Sequence, residues 1–552
     1  MTAPASIATV AIWIARRIAK QQLARRLVVV RTPRKALAAL AIATTALITT
    51  AALGPSAAVE PLPGSPPFGW HAHPPAALVT ALLAITVIAG SYGVLGCLAA
   101  LKRGWVLDTK RLLAASFLAT AALGLLAPVG SSDPGSYAAY GRLAAVGHDP
   151  YATPPSVLTG SYHAIAEPPW QSTTSVYGPV ATGEQWIAAK IAGDGPTAPA
   201  HAVFLLGVVN AAVFIATGLL LQLLATSRAG RRRAAVFFCA NPVLLFEGVA
   251  GAHIDVVATF LVVAAIAALR PLRSRGSLRW LAIFGAGVLG GAASAVKASA
   301  GLAGLGLAWW LAATSAPRRS IATISPTPPT AVRRARLDAV QLGVLAAGAA
   351  AVLVPGYLLA GSHAFDQLRH ASGFVSFADP WRVVTHPLEV GLGHDAARSV
   401  IRVAAWVAFA MYVLLLDRGL PARPGLPGLH GGLVRGVAGS ISDRRNPVGA
   451  ARTALVLVLG WLLTAPYVLP WYAILAFALL ALLPASGFDR LVVFWTAVLA
   501  LAYLPGRQVS LPGWLHDVTD GWKSGVSPVL LLATSAVAAL LCLRRRDLRA
   551  PG

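Results

Sequence analysis

Residues 202–226 read AVFLLGVVNAAVFIATGLLLQLLAT. This stretch contains no charged side chain, and as a helix rising 1.5 Å per residue it is about 37 Å long, enough to cross the roughly 30 Å hydrocarbon core of a bilayer. Directly after it comes SRAGRRR, with Arg228, Arg231, Arg232 and Arg233. An apolar run closed by a basic cluster is a membrane-topology signal rather than the mark of a soluble helix. The pattern repeats along the chain. Candidate spans fall at 36–53, 76–101, 112–129, 202–226, 234–249, 254–269, 280–295, 299–314, 339–360, 399–416, 453–469, 471–485, 491–505 and 527–543. The sequence therefore predicts an all-α polytopic membrane protein of about fourteen (12–14) helices. Several of these runs are short, so hairpins or broken helices are expected near 234–269 and 280–314.

Composition agrees. Of the 552 residues, 57% are hydrophobic and 12% charged, and mean hydropathy is +0.68; one soluble core cannot bury that much apolar surface. Lys and Arg outnumber Asp and Glu by 45 to 20. In a soluble chain that excess suggests nucleic acid. Here the cations are spread over short segments between spans, so nucleic-acid binding is not expected. With the N-terminus cytoplasmic, 36 of the 45 cations but 6 of the 20 acids fall on the inside, the bias that orients membrane proteins. Both termini are then cytoplasmic in a plasma-membrane protein, and the chemistry belongs to the outer face. No cleavable signal peptide is expected, because the first apolar stretch, 5–15, is short and runs into basic sequence. Cys97, Cys239 and Cys542 lie in apolar runs and read as small core residues.

This organisation predicts a basic cytoplasmic arm (1–35), two N-terminal transmembrane helices (36–111), a transmembrane core (112–485) with a long outer loop at 130–200, further transmembrane helices (486–543) and a cytoplasmic tail (544–552). The loop 130–200 opens with SSDPGSYAAYGRLAAVGHDPYATPP and continues to WQSTTSVYGPVATGEQWIAA. Asp133-Pro134 suits a helix start, Asp as cap and Pro in the first turn. The same Asp133, at the boundary of water and lipid, could instead serve as a general base. On the helix it begins, Tyr137, Tyr140 and Gly141 share a face, with Arg142 beside them. His148, Asp149 and Tyr151 form a turn rich in hydrogen-bonding groups. Trp170, Tyr177 and Trp186 could stack on sugar rings, or simply belong to an interfacial aromatic belt.

Further along, the run 280–314 has Lys297 as its one charge, and as a continuous helix would be about 52 Å long, too long for one crossing. Lys297 is therefore expected at a turn between two short helices, meeting a lipid phosphate or else snorkelling to headgroups. Glu247, His253 and Asp255 surround a turn near Asn241-Pro242 and could line a site or sit on a solvated tip. Their chemistry would suit a divalent ion, but the spacing is not diagnostic and no metal is expected. His363, Asp366, Arg369, His370, Asp379, Trp381 and Arg382 crowd a second outer loop at 361–398. Arg382 and Arg507, the latter in a third loop at 506–526, are candidate phosphate contacts. Pro466, Tyr467, Pro470, Trp471 and Tyr472 are expected to kink a helix pair.

Five strings occur in one order: SSDPGSYAAYGRLAAVGHDPY (131–151), SVYGP (175–179), NPVLLFEGVAGAHIDV (241–256), SAVKAS (294–299) and PYVLPWY (466–472). Together they resemble the actinobacterial polyprenol-phosphate-mannose-dependent α-(1→6)-mannopyranosyltransferases, which belong to the membrane-embedded GT-C glycosyltransferases. The resemblance covers about 110–485. It implies a GT-C bundle with 112–485 as its catalytic core, a helical active-site loop on the outer face and Asp133 as base. One departure is that two spans precede this loop. The expected activity is inverting transfer of mannose from polyprenyl-phosphate-mannose to a lipid-linked glycan acceptor such as a lipomannan-type mannan. The donor phosphate would meet Lys297, Arg382 and Arg507. Tyr137, Tyr140, Arg142, His148, Asp149, Tyr151, Trp170, Tyr177, Glu247, His253 and Asp255 would contact the sugar or acceptor, with no cofactor. An arabinosyl- or other polyprenyl-phosphate-sugar transferase is the nearest alternative, and a lipid or solute transporter a more distant one. Oligomeric state, sugar and acceptor stay open at this stage.

Overall fold

The computed structural model describes residues 32–163, 165–270, 277–315, 328–366, 374–421 and 447–547. Most of the basic arm, Arg369, His370 and the centres of the loops 315–338 and 417–452 lie outside the described residues. The helices are α1 (Thr32–Leu53), α2 (Ala76–Lys102), α3 (Thr109–Leu125), α4 (Asp133–Ala145), α5 (Pro179–Ala192), α6 (Ala198–Leu224), α7 (Arg228–Cys239), α8 (Pro242–Ala250), α9 (Asp255–Ala268), α10 (Ser277–Val296), α11 (Gly301–Ser315), α12 (Pro328–Ala360), α13 (Arg382–Leu392), α14 (His394–Gly419), α15 (Pro447–Thr464), α16 (Ile474–Leu482), α17 (Gly487–Ala502), α18 (Gly513–Asp520) and α19 (Ser527–Asp547). β-Structure among the described residues is limited to two isolated bridges, Val59 with Val129 and Phe68 with Leu126. The chain is an all-α polytopic membrane protein.

Every candidate span coincides with a helix, but the helices differ in reach. Among the described residues, 7 are long and apolar enough to cross a membrane, or up to 8 if the bent pair α7–α8 counts as one span. The apolar helices α9, α11, α15 and α16 are shorter than a full crossing. The α7–α8 bend is 43°, and its cause is local. Pro242 has no N–H to continue the helix, and the Asn241 side chain accepts from Val243 N–H at 3.1 Å, starting a new one. The Lys297 break is similar in effect. Lys297 itself is extended (φ −147°, ψ 122°) between α10 and the turn Ala298–Ala300 that opens α11.

Helix α16, ILAFALLAL, is buried at all nine positions, as its all-round apolar sequence requires. It packs against α9, α15 and α17 and forms the centre of the bundle. The pairs α1–α2, α10–α12, α4–α5, α9–α10 and α11–α15 make the largest helix interfaces around it. One buried ion pair ties the early helices to the late ones. Arg233 on α7 donates to both Asp489 oxygens (2.7 and 2.8 Å) and to the carbonyls of Leu483 and Leu480. That set uses most of the guanidinium fork, which is how a charge is tolerated in an apolar interior.

At one end of the bundle several loops converge: 54–75, 126–178, 251–254, 465–473 and 503–512. Backbone hydrogen bonds join them, Val129 to Ala250 (2.8 Å) and Gly130 to Ala58 (2.8 Å) among others. This loop-rich end holds the site.

Candidate active site

Asp133 is the first residue of α4. Of the two readings its position allows, helix cap and general base, the first is not realised. No side chain caps α4; instead the Asp133 N–H donates to Ser131 Oγ at 3.1 Å, and the carboxylate turns along the helix to accept from Tyr137 O–H at 3.1 Å. The carboxylate is thus free of the capping role and faces inward, its side chain 13% exposed. Burial pushes its pKa up to about 6, against the smaller opposing pull of the Tyr137 hydrogen bond and the Lys297 charge.

His253 lies in the turn between α8 and α9. Its Nδ1 is bonded to the Glu247 carbonyl, and since a carbonyl only accepts, Nδ1 carries the proton. Nε2 is then a lone pair, and it takes the Ser131 hydroxyl at 3.0 Å. The ring stacks on Trp471 with centroids 3.7 Å apart, and burial depresses its pKa to about 3. His253 is a neutral buried imidazole, 1% exposed. It was expected to touch sugar or acceptor. Both nitrogens are already engaged, so its effect passes through Ser131 to Asp133.

Asp255 and Lys297 meet across 42 residues of sequence. The ammonium donates to both Asp255 oxygens at 2.8 Å and sits 3.3 Å from the centre of the Tyr472 ring, a cation–π contact. Lys297 does stand at a helix break, but paired rather than snorkelling. Its charge is close enough to act on Asp133. Tyr137 and Tyr140 do not open to solvent. Both rings meet Tyr177 edge-on, at 5.1 and 6.2 Å, and the Tyr140 O–H donates to Thr173 O at 2.8 Å. The structure therefore gathers Asp133, Tyr137, Tyr177, His253, Asp255 and Lys297 into one buried cluster, packed against Trp471 and Tyr472.

Other sequence candidates lie elsewhere. Arg142 pairs with Asp194 and covers the Tyr162 ring at 5.4 Å. Asp149 accepts from Tyr151 N–H at 2.8 Å and bonds His363 at 3.1 Å; Tyr151 bonds Thr182 at 2.7 Å. His148 is exposed, and Trp170 sits in a single turn of 3₁₀ helix. Glu247 is buried, not on a solvated tip, and its carboxyl forms no ion pair among the described residues. Arg382, exposed at the start of α13, has Phe377 as its ring neighbour at 5.5 Å. Arg507 is committed to Glu167 at 2.6–2.7 Å and to the Ser56 and Val59 carbonyls, which engages most of its fork within the protein. Among the described residues no group of three or more His, Cys, Asp or Glu is placed to hold a metal ion. Sequence reasoning missed Ser131 and Glu167 and treated Trp471 and Tyr472 only as a kink. Nothing in the local sequence distinguishes them.

A family model for the N-terminal domain of alpha-(1→6)-mannopyranosyltransferases matches residues 37–313, half of the chain. The chain belongs to this mannopyranosyltransferase family. No curated protein and no solved structure matches it. The mannopyranosyltransferase match includes Ser131, Asp133, Tyr177, His253, Asp255 and Lys297. Trp471, Tyr472 and Arg507 follow it in sequence, so the site is completed from beyond the matched segment.

Proposed function

We propose that the chain transfers mannose from polyprenyl-phosphate-mannose to a hydroxyl of a lipid-linked mannan or related glycan, forming an α-linkage with inversion at the anomeric carbon. The observation that carries this reading is that one buried cluster holds a raised carboxylate, Asp133, within the field of a cation, Lys297, that Asp255 fixes in place. Asp133 takes the proton of the acceptor hydroxyl. The acceptor oxygen bonds to the anomeric carbon while the bond from that carbon to the phosphate oxygen breaks, and its electrons leave with polyprenyl phosphate. Lys297 stabilises that charge where it develops. The leaving phosphate needs no proton, and this reading calls for no metal. Tyr177, Trp471 and Tyr472 pack around these groups and hold them in place. The bias of basic residues to the opposite loops supports an outer-face site, where nucleotide sugars are absent and a lipid-borne donor is the available one.

The test is transfer of labelled mannose from polyprenyl-phosphate-mannose to an α-mannoside in membranes carrying wild type or Asp133→Asn. Transfer by wild type and its loss in the folded variant are expected. Equal activity in both would remove Asp133 from the mechanism, and an inert wild type would remove this donor.

A further inference from the structure

Away from the reacting groups, the loops 54–60, 165–167 and 505–508 meet on one side chain, Arg507. Its Nε and Nη2 hold Glu167 Oε1 at 2.7 and 2.6 Å. Its Nη1 donates to Ser56 O at 3.0 Å and Val59 O at 3.4 Å, and its backbone N–H to Ala57 O. Glu167 Oε2 accepts from Gln508 N–H at 3.2 Å. Both charges are largely buried, at 14% and 11% exposure. Glu60 lies beside this pair without joining it. Burial, with Glu167 next to it, pushes its pKa up to about 8, so one carboxylate, not two, answers the single guanidinium.

The segment carrying Asp133 runs through the middle of these loops. Val129 bridges to Val59, and Gly130 N–H donates to Ala58 O at 2.8 Å. Gly506, at φ +115°, lies against Gly130; a Cβ there would fall 2.2 Å from the Gly130 carbonyl carbon. The Ile165 carbonyl lies so close to Gly135, in the first turn of α4, that a Cβ there would fall 2.6 Å from it. Arg507 and Glu167 thus tie together the three loops, 54–60, 165–167 and 505–508, that meet residues 129–135 here, and the Glu60 carboxyl also lies against Gly135.

We propose that Arg507 is a positioning residue of the transferase site, clasped to Glu167 so as to fix the Ser131–Asp133 segment against His253 and Lys297. The inference rests on the proposed base role of Asp133. A clasp of this kind leaves substrate contacts untouched and sets the geometry of the base. Its loss lowers kcat rather than raising KM, and misplacement by about 1 Å costs on the order of 10²-fold in rate.

The experiment compares wild type, Arg507→Ala, Glu167→Gln, Gly506→Ala and Glu60→Gln, full length in detergent. It measures melting temperature, kcat and donor KM for mannosyl transfer, and amide hydrogen exchange over 129–146. Arg507→Ala, Glu167→Gln and Gly506→Ala are expected to lose about 10²-fold in kcat with donor KM held, and to exchange faster over 129–146. Glu60→Gln copies a carboxyl that is already neutral and is expected to match wild type in all readouts. Glu167→Gln weakens the clasp while keeping the side chain's size, so it reports even if Arg507→Ala fails to fold, and Gly506→Ala strains the neighbouring contact with Gly130 directly. Unchanged exchange over 129–146, or a loss of activity no larger than the loss of folded protein, overturns the proposal. If wild type itself does not use this donor, the functional reading fails, and hydrogen exchange still decides the clasp.

Discussion

The Nε2 of His253 lies 3.7 Å from Oδ2 of Asp133, yet the two do not form an ion pair. The imidazole is neutral and points its lone pair at Ser131, whose oxygen in turn accepts the Asp133 N–H. The carboxylate thus has an uncharged neighbour on one side and, on the other, a cation already shared with Asp255. Burial in this setting leaves Asp133 more basic than a surface aspartate, as the proposed role requires.

The first expected outcome is a pH profile. Asp133 must be ionised to accept a proton, and its raised pKa places that ionisation at about 6. The rate of transfer should fall with unit slope on the log scale below that pH and be flat above it. The sign for folding is opposite: a carboxylate raised from 3.8 binds its proton more tightly when folded, so this group's contribution to stability declines as pH rises from 3.8 to 6. Activity and thermal stability measured across pH 5–8 on the same preparation separate the two.

Asp133→Asn should retain the fold, because Asp133 caps nothing and Tyr137 can still donate to the amide oxygen. The loss of transfer is expected to be about 10²–10⁴-fold, the usual contribution of a general base. Melting temperature and rate together check this.

Lys297→Met removes the cation and leaves Asp255 buried without its partner. Breaking a buried pair by removing one member costs roughly 3–5 kcal/mol. The double variant Lys297→Met with Asp255→Asn should recover most of that stability and none of the activity. Recovery of activity in the double variant would show that Lys297 balances Asp255 and does nothing for the donor.

Arg233→Ala tests a pair remote from the Asp133 cluster. Asp489 would be left buried with the Leu480 and Leu483 carbonyls unserved, again a loss of roughly 3–5 kcal/mol. The folded fraction should keep wild-type kcat and KM, which distinguishes a structural pair from the Arg507 clasp.

Much of the bundle was legible because apolar runs and basic clusters are local signals. The break at Lys297 was legible too, since one charge in a run too long to cross once forces a turn. Asp133 stood out by its place between an apolar run and a Pro-led helix. Its orientation did not. Capping and facing inward begin from the same sequence, and the choice is made by Ser131 and His253, the latter 120 residues away. Arg507 shows the opposite error. A lone arginine in a loop looks available for phosphate until its partner appears, and Glu167 sits 340 residues earlier. Trp471 and Tyr472 are legible as a kink from their prolines, while their place against His253 and Lys297 depends on how α15 and α16 enter the bundle.

The contact of Gly506 with Gly130 has a consequence for the order in which the molecule is made. Synthesis runs from the N-terminus, so the base-bearing segment is in the membrane long before its last neighbour has left the ribosome. Nearly four hundred residues of further translation separate Asp133 from Arg507, so a nascent chain stopped short of Arg507 would carry the proposed base in a segment that still lacks its contact with Gly506.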